Sequence, residues 1–392
     1  MALDALPPVP AAPAPETEYT ERISALRQRM RAEGIAAVAA ASPENIYYLT
    51  GLDHLGYFAF TLLVVAETGR PTLVTRAMES PTIRAQVPWC AHVTFGDAET
   101  PAEAAAAALA SAVPPGATVA LDEESMFLPP AIAAAIRGAL PEARWRSASA
   151  ILIGQRAVKS PAEAGHVRRA AAVSDTAIAA GIAVARPGIS ERSVAAEVYR
   201  AMIEAGGEPP GFPPLIRPTT LLEREHVSWS GDGILRPGTG LFFELSGSVR
   251  RYHAPQSRVV YLGDAPREAA EAAESALAGL VAARDALVPG AVTGEVYAAW
   301  QRVVARDVPG DQPLRHHCGY LVGIGFPPSW VGGGAVLGIR AGGETEIVPG
   351  MTFHLMSWVI RPVGHVISDT VLVTETGAEF LTTTSRELTV LA

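Results

Sequence analysis

The chain has 392 residues, of which 49% are apolar and 18% are charged, so it can form two sizeable cores. The formal net charge of −9 argues against nucleic acid or an anionic membrane as a partner. The two cysteines, Cys90 and Cys318, lack metal or redox spacing and are expected to be reduced structural thiols. Without a signal-peptide pattern or a membrane-length apolar run, a cytoplasmic protein with no membrane partner is predicted.

The first part of the chain predicts an α/β domain behind a tail. Residues 1–16 are rich in proline and alanine, which predicts a flexible segment. Over residues 17–155, a helix ends near Gly34 and a strand, turn and short helix follow in "AAVAAASPENIYYLTGL". The segment "ETGR" then predicts a hairpin, and further strands alternate with helices. This alternation indicates an N-terminal α/β domain.

The second part of the chain, residues 156–392, begins with a strong helix start. Ser160 is the expected N-cap, Pro161 takes the first helical position and Glu163 completes a capping box. A second helix precedes a predicted hairpin in "GLFFELSGSVRRYHAPQSRVVYLG", and two more helices precede a β-rich final third. Helix pairs followed twice by meandering strands predict a pseudo-duplicated α+β domain.

A glutamate interrupts the apolar strand "LFFEL" at Glu244. Because ionised carboxylates are rarely buried without a partner, Glu244 is expected to face a metal, a catalytic group, a substrate cation or an arginine. His226 lies eighteen residues earlier, in "EREHVSWSG". Imidazole titrates near neutral pH, so a histidine can take and return a proton within one turnover. A buried ion pair of Glu244 with Arg250, Arg251 or Arg258 is the competing interpretation.

Several motifs in the same order resemble the creatinase and proline-peptidase superfamily, the pita-bread fold. They are "VKSPAEAGHVRRAA", "RPGISERSVAAEVYRAMIEAGG", "VPGMTFHL" and "ISDTVLVTETGAEFL". The resemblance implies an α/β N-terminal domain, a C-terminal pita-bread catalytic domain and a homodimer.

The peptidase members of that superfamily bind two metal ions through five carboxylate and histidine side chains. By resemblance, these positions are occupied here by Glu244, Pro255, Tyr320, Met356 and Ser368. Catalytic metal sites need at least three suitable protein ligands, which this set does not supply. The resemblance therefore predicts no metal ion and no other cofactor.

The predicted hairpin that contains Glu244 is similar to the corresponding motif of the metal-free branch that includes ectoine hydrolase and creatinase. The motifs "PGMTFH" and "PPSW" also resemble that branch. This implies metal-independent hydrolysis of a C–N bond in a small amidine, guanidine or cyclic amide. His226 is then the catalytic acid and base, and Glu244 orients it, binds a cationic group or acts as base or nucleophile. Carboxylates of this branch are missing at Ser257, Ile367 and Ser329 and near Val366. Two alternatives therefore stay open, a lyase, isomerase or cyclase that uses the same histidine and a ligand-binding pseudoenzyme.

Further substrate contacts are expected next to the former ligand positions, in an aromatic box, and in the loop "GYFAF" that reaches the partner subunit in this family. The competing interpretations are core packing for the tryptophans, a capped turn for Asp369 and the opposite strand face for His354. The expected contacts are Phe58, Phe60, Trp229, His253, Tyr320, Trp330, His354, Trp358 and Asp369.

Overall fold

A computed structural model describes residues 15–229, 233–305, 315–359 and 363–392. These residues form two compact units. One comprises the described part of Pro10–Arg156 with Gly332–Ala335, and the other comprises Ala157–Val331 and Val336–Ala392 over their described residues. The predicted tail lies outside the described residues up to position 14, whereas residues 15 and 16 begin the first helix.

The N-terminal unit is an α/β sheet structure, in agreement with the expected fold class. Its helices are α1 (Pro15–Glu33), α2 (Pro43–Thr50), α3 (Ser80–Gln86), α4 (Pro101–Ala112), α5 (Pro130–Ala139) and α6 (Ser149–Ala157). Its strands are β1 (Ala37–Ala40), β2 (Leu62–Ala66), β3 (Thr72–Arg76), β4 (Ala91–Phe95), β5 (Thr118–Leu121) and β6 (Arg144–Ser147). The strand order is β4-β3-β2-β1-β5-β6, and β2 and β3 form the predicted hairpin.

The C-terminal unit has the pita-bread layout that the motifs predicted. Its helices are α7 (Pro161–Val184), α8 (Glu191–Glu204), α9 (Glu268–Ala286) and α10 (Thr293–Val304). Its strands are β7 (Leu215–Pro218), β8 (Gly240–Val249), β9 (Tyr252–Leu262), β10 (His317–Leu321), β11 (Gly338–Arg340), β12 (Thr352–Val359), β13 (His365–Thr374), β14 (Gly377–Phe380) and β15 (Thr389–Leu391). The sheet order is β11-β10-β12-β13-β9-β8-β7, with β14 beside β13 and β15 beside β9.

The predicted capping box fixes the start of α7. The Glu163 backbone N–H donates to Ser160 Oγ at 3.2 Å, and the Ser160 backbone N–H donates to Glu163 Oε2 at 2.9 Å. Two helix N–H groups that would otherwise lack acceptors are thereby satisfied. The prediction of a helix start at this point is confirmed.

Strand alternation divides the sheet of the C-terminal unit into a helix face and an open face. Phe243 and Leu245 of β8 pack into the core beneath α7 and α8, while Phe353 and Leu355 of β12 pack beneath α9 and α10. Because successive side chains point to opposite faces, Glu244 projects away from both helix pairs. We call the side that Glu244 occupies the cavity face.

The two cysteines are reduced, as the sequence predicted. Cys90 and Cys318 are both free and buried. Burial raises the pKa of the Cys90 thiol to about 12 and also raises that of Cys318, so both favour the unreactive thiol form. No helix within the described ranges combines the length and the apolar character needed to cross a bilayer.

Candidate active site

A cavity of about 470 Å³ lies on the cavity face of the C-terminal sheet. This volume falls in the range of small-molecule sites. Its floor follows one cross-strand row, in which Glu244 pairs with Ser257, Ser257 with Ser368, and Ser368 with Met356. Register alone therefore brings together side chains from β8, β9, β13 and β12 that are far apart in the sequence.

Glu244 is half-buried in the cavity floor, and among the described residues its carboxylate makes no hydrogen bond or ion pair. Burial raises its pKa to about 7, an effect that nearby Arg217 and Arg315 oppose and Glu225 reinforces. The competing ion pairs with Arg250, Arg251 and Arg258 are not formed within the described chain. Glu244 thus has its proton equilibrium near neutral pH, where a general base is most effective.

His226 stands exposed at the cavity rim in a left-handed backbone conformation, with φ of 58°. Arg217, only 1% exposed, holds its loop. The Arg217 guanidinium donates to the carbonyl oxygens of Leu221 at 3.2 Å and Val227 at 2.9 Å, which flank the loop. The ring of Phe212 meets the imidazole edge-on, with centroids 6.0 Å apart. The histidine position is therefore set by β7 rather than by Glu244, to which no hydrogen bond joins it in the described chain.

A second arginine ties the same loop to the opposite wall. Arg315 forms an ion pair with Glu225 and lies over the Trp358 ring, 4.0 Å from its centroid. Although burial opposes it, the Arg315 contact keeps the pKa of Glu225 below its ordinary value. Burial lowers the pKa of neighbouring His317 to about 4, assisted by the charge of Arg315, so this imidazole is neutral at ordinary pH.

A chain of hydrogen bonds connects one cavity wall with the floor. Trp330 Nε1 donates to the Tyr320 hydroxyl at 2.9 Å, and that hydroxyl lies 2.8 Å from His354 Nδ1. His354 Nε2 lies 2.7 Å from Ser368 Oγ, which donates to Ser257 Oγ at 2.8 Å. Burial lowers the pKa of His354 to about 3 and raises that of Tyr320, so both are neutral at ordinary pH. We call these five residues the Trp330–Ser257 chain.

The cavity brings together five of the side chains expected from the sequence. His226, Glu244, Tyr320, Trp330 and Trp358 all line it. The buried imidazole of His354 lies behind the wall, where it contacts two lining hydroxyls rather than the cavity itself. Its effect on a ligand is therefore indirect.

The structure places His253 and Asp369, two of the expected substrate contacts, away from the cavity lining. His253 is fully buried, with Nε2 accepting from the Gly211 N–H at 2.8 Å and Nδ1 bonded to the Arg251 carbonyl oxygen at 2.8 Å. Asp369 follows Ser368 and points to the helix face. Its carboxylate there binds Arg258 and Arg386, each at 2.8 Å. Both residues therefore have partners inside the protein, and neither lines the cavity.

Two of the expected aromatic contacts, Trp229 and Phe60, also lie outside the cavity lining. Trp229 packs against the core beneath α7 and α8 and meets the ring of Tyr199 edge-on at 6.1 Å. Phe60 packs against the core of the N-terminal unit, with its ring 6.5 Å from that of Phe95. Phe58, in contrast, is 82% exposed on that unit.

The sequence prediction missed several lining side chains: Phe212, Arg217, Glu225, Ser257, Arg315, His317 and Arg340. Ser257 was noted only as the place of a missing carboxylate, although it lies two residues beyond Pro255 and so on the same strand face. The arginines carried no comparable signal, because charged residues in loops and short strands are usually solvated.

The side chains at the positions that correspond by resemblance to the peptidase metal ligands offer few donor atoms to a metal ion. Proline offers no side-chain donor, Met356 a thioether, Tyr320 a neutral phenol and Ser368 a hydroxyl already engaged with His354 and Ser257. Over the described ranges, no group of three or more His, Cys, Asp or Glu side chains is close enough to hold an ion. The residues present do not fit a two-metal centre.

Comparisons with known proteins agree with this layout. The model of the metallopeptidase family M24 matches residues 165–375, and that of the creatinase/prolidase N-terminal domain matches residues 22–158. Ectoine hydrolase of Halomonas elongata is 29% identical, over 95% of this chain and 96% of its own. An uncharacterised hydrolase/peptidase of Sinorhizobium fredii is also 29% identical, over 96% and 98%.

Solved structures show the same fold. A prolidase from Thermococcus sibiricus superposes with a TM-score of 0.84 at 20% identity, over 95% of this chain and 99% of its own. Dipeptidase PepE from Mycobacterium ulcerans gives a TM-score of 0.81 at 24% identity, over 96% and 98%. The two family models and the hydrolase relatives support the predicted class of C–N hydrolase. The chain therefore belongs to the metallopeptidase family M24 and carries a creatinase/prolidase N-terminal domain.

Proposed function

We propose that this protein is a metal-independent hydrolase that cleaves a C–N bond in a small nitrogenous molecule. The observation that carries the proposal is the cavity lined by Glu244, Tyr320, Met356 and Ser368, four of the positions that correspond by resemblance to the family's metal ligands. It keeps one carboxylate, Glu244, without a protein partner in the described chain, while Pro255, Tyr320, Met356 and Ser368 replace the other ligands. The kinship with ectoine hydrolase supports the same conclusion.

The charges around the cavity narrow the substrate class. The cavity lining contains more positively than negatively charged side chains. They are Arg217, Arg315 and Arg340 on one side of the balance and Glu225 and Glu244 on the other. A bare guanidinium or amidinium would be repelled by the arginines. A cyclic amide, or a cyclic amidine that carries its own carboxylate, is therefore favoured. In either case, N–H groups would face Glu244 and an anionic or carbonyl oxygen would face an arginine.

The roles of the two central residues follow from their positions. His226 stands at the rim, where its imidazole can protonate a leaving nitrogen and recover the proton from solvent. Glu244 lies in the floor, where it can bind a substrate N–H group or accept a proton. Tyr320, Trp330 and Trp358 would enclose the substrate ring.

We also propose that the working form is a homodimer. Phe58 is 82% exposed on the N-terminal unit, more than any other large apolar side chain of the described residues, and neighbouring Leu55 is 54% exposed, which suits a contact with a partner subunit. Association of purified protein, measured by light scattering, should be weakened by Phe58→Ser. A monomeric wild-type protein with full turnover would contradict this part of the proposal.

Incubation of the purified protein with a panel of cyclic amides, cyclic amidines and guanidines, read by mass spectrometry, tests the function. We expect one compound to gain the mass of one water, and His226→Ala to abolish this gain. The variant Trp229→Phe is the matched control, because Trp229 packs away from the cavity. A product of unchanged mass would indicate an isomerase or cyclase, a fragment without added water a lyase, and tight binding without turnover a pseudoenzyme.

A further inference from the structure

Each polar group of the Trp330–Ser257 chain has a limited number of protons, and this number identifies the donor and the acceptor of every hydrogen bond in the chain. Ser368 has one hydroxyl proton, which it donates to Ser257 Oγ at 2.8 Å. Its contact with His354 Nε2 at 2.7 Å must therefore have the imidazole as donor. A neutral imidazole carries one N–H, so Nδ1 is left as an acceptor, and the Tyr320 hydroxyl 2.8 Å away donates to it.

Tyr320, one of the expected substrate contacts, has thus committed its proton to His354. Its oxygen also accepts the Trp330 indole N–H at 2.9 Å. All the bonds run in one direction, from the indole to Ser257. Among the described residues, the Ser257 hydroxyl is the member whose own proton is donated to no protein atom.

The Ser257 proton, which no described protein atom accepts, lies beside the carboxylate of Glu244, and the Ser257 side chain is fully buried in the cavity floor. The two residues are directly opposed on β9 and β8, and both line the cavity. Directly opposed residues have Cβ atoms about 4.5–5.5 Å apart. A hydrogen-bond donor and an acceptor therefore stand next to each other in the cavity floor. A water molecule matches this pair, since its oxygen can accept from Ser257 while one of its protons is donated to Glu244.

We propose that Ser257 and Glu244 hold the hydrolytic water, with Glu244 as its general base and the Trp330–Ser257 chain as the device that points the Ser257 proton at it. His354 and Ser368 are positioning residues in this scheme. The inference rests on the proposed hydrolase function and identifies where the attacking water molecule binds. It also explains how water is oriented in a family member whose metal positions have lost their ligands.

The reaction balances without a further reactant. As the water oxygen forms a bond to the substrate carbon, its proton passes to Glu244. As the C–N bond breaks, the nitrogen keeps the bonding electron pair and takes a proton from the His226 imidazolium. The proton on Glu244 then returns to His226 through solvent, so the net change is the addition of one water. The pKa of about 7 at Glu244 suits a base that works near neutral pH.

Nitrogen-15 NMR of histidine-labelled protein tests the direction of the chain without any substrate. We expect His354 to carry its proton on Nε2, with the signal assigned by its loss in His354→Gln. Tyr320→Phe removes the donor to Nδ1, so the Nδ1–H tautomer should become populated. A wild-type His354 protonated on Nδ1 would overturn the proposal, because Ser368 would then donate to His354 and withdraw the proton from Ser257.

Kinetics with the compound that gains one water tests the role of the hydroxyl. Ser257→Thr and Ser257→Val have nearly the same volume, and only threonine keeps the hydroxyl. We expect Ser257→Val to lower kcat by about 10²-fold with little change in KM, because misplaced reacting groups cost about this factor. Because both variants add similar volume to this buried site, Ser257→Thr should keep a kcat about tenfold or more above that of Ser257→Val. Equal kcat values for the two variants, or an effect confined to KM, would refute the water site but leave the hydrolase function standing.

Discussion

Replacement of Glu244 by glutamine is expected to stabilise the folded protein above neutral pH while abolishing turnover. Burial raises the folded-state pKa of this carboxyl from 4.5 to about 7. Each pKa unit corresponds to about 1.4 kcal/mol, so the cost of ionising Glu244 in the folded state is about 3 kcal/mol. Glutamine keeps the shape of the neutral acid and avoids this cost.

The direction in which the free energy of unfolding changes with pH follows from the number of protons that each state binds. Between pH 4.5 and about 7, the folded state retains a proton that the unfolded state has lost, so stability falls as the pH rises through this window. Well above pH 7 Glu244 is ionised in both states, so its contribution to stability falls no further. Glu244→Gln should therefore raise the free energy of unfolding by about 3 kcal/mol at pH 8 and by about 1 kcal/mol or less at pH 5.

Urea unfolding of wild-type and variant protein at both pH values measures this difference. Glu225→Gln is a control of opposite sign, because its ion pair with Arg315 lowers the pKa of Glu225 and should make that variant less stable at pH 8. Equal effects of Glu244→Gln at pH 5 and pH 8 would refute the raised pKa. A loss of stability at pH 8 would mean that Glu244 has a strong partner in the folded protein.

Three further changes test separate parts of the structure. His226→Ala should lower kcat by about 10²-fold or more and leave the urea midpoint nearly unchanged, because the side chain is exposed; a kcat within about threefold of wild type would exclude it as acid and base. Asp369→Ala should reduce the free energy of unfolding by about 3–5 kcal/mol in urea, because the buried Arg258 loses its partner; a loss below about 1 kcal/mol would contradict that pairing. Ser160→Ala should cost about 1 kcal/mol in thermal unfolding through loss of the helix cap, and no change would argue against the capping box.

Local patterns were enough to predict most of the fold. The capping box at Ser160 and Glu163, the hairpin around Arg250 and Arg251, and the helix pairs all depend on residues close in sequence. The position of Glu244 in the cavity floor also followed from alternation within one strand, because flanking Phe243 and Leu245 both enter the core. Such features need no knowledge of distant contacts.

Two expected site residues lie away from the cavity because proximity in sequence was used in place of strand geometry. Asp369 follows a cavity residue directly, so alternation alone places it on the other face with Arg258. His253 shares a strand face with Ser257, but the Gly211 backbone occupies its imidazole. The position of Asp369 could be derived from the sequence, whereas that of His253 depends on a contact between segments 42 residues apart.

The arginines and the hydrogen-bond chain could not be derived from the sequence. Arg315 acquires its role from an ion pair with Glu225, 90 residues earlier. The chain through His354 depends on the register between β10, β12, β13 and β9, which brings Tyr320, Ser368 and Ser257 within hydrogen-bond reach. Register is a property of the assembled sheet and is not encoded in any one strand.

Metal analysis combined with turnover in the presence of a chelator tests the central claim most directly. Among the five positions that correspond by resemblance to the peptidase metal ligands, only Glu244 has a carboxylate, and no group of three or more His, Cys, Asp or Glu side chains in the described residues could hold an ion, so purified protein should contain less than one tightly bound divalent ion per chain. Hydrolysis should continue at an unchanged rate after dialysis against EDTA. Two bound ions per chain, with activity lost in EDTA and restored by zinc, manganese or cobalt, would contradict a metal-independent hydrolase.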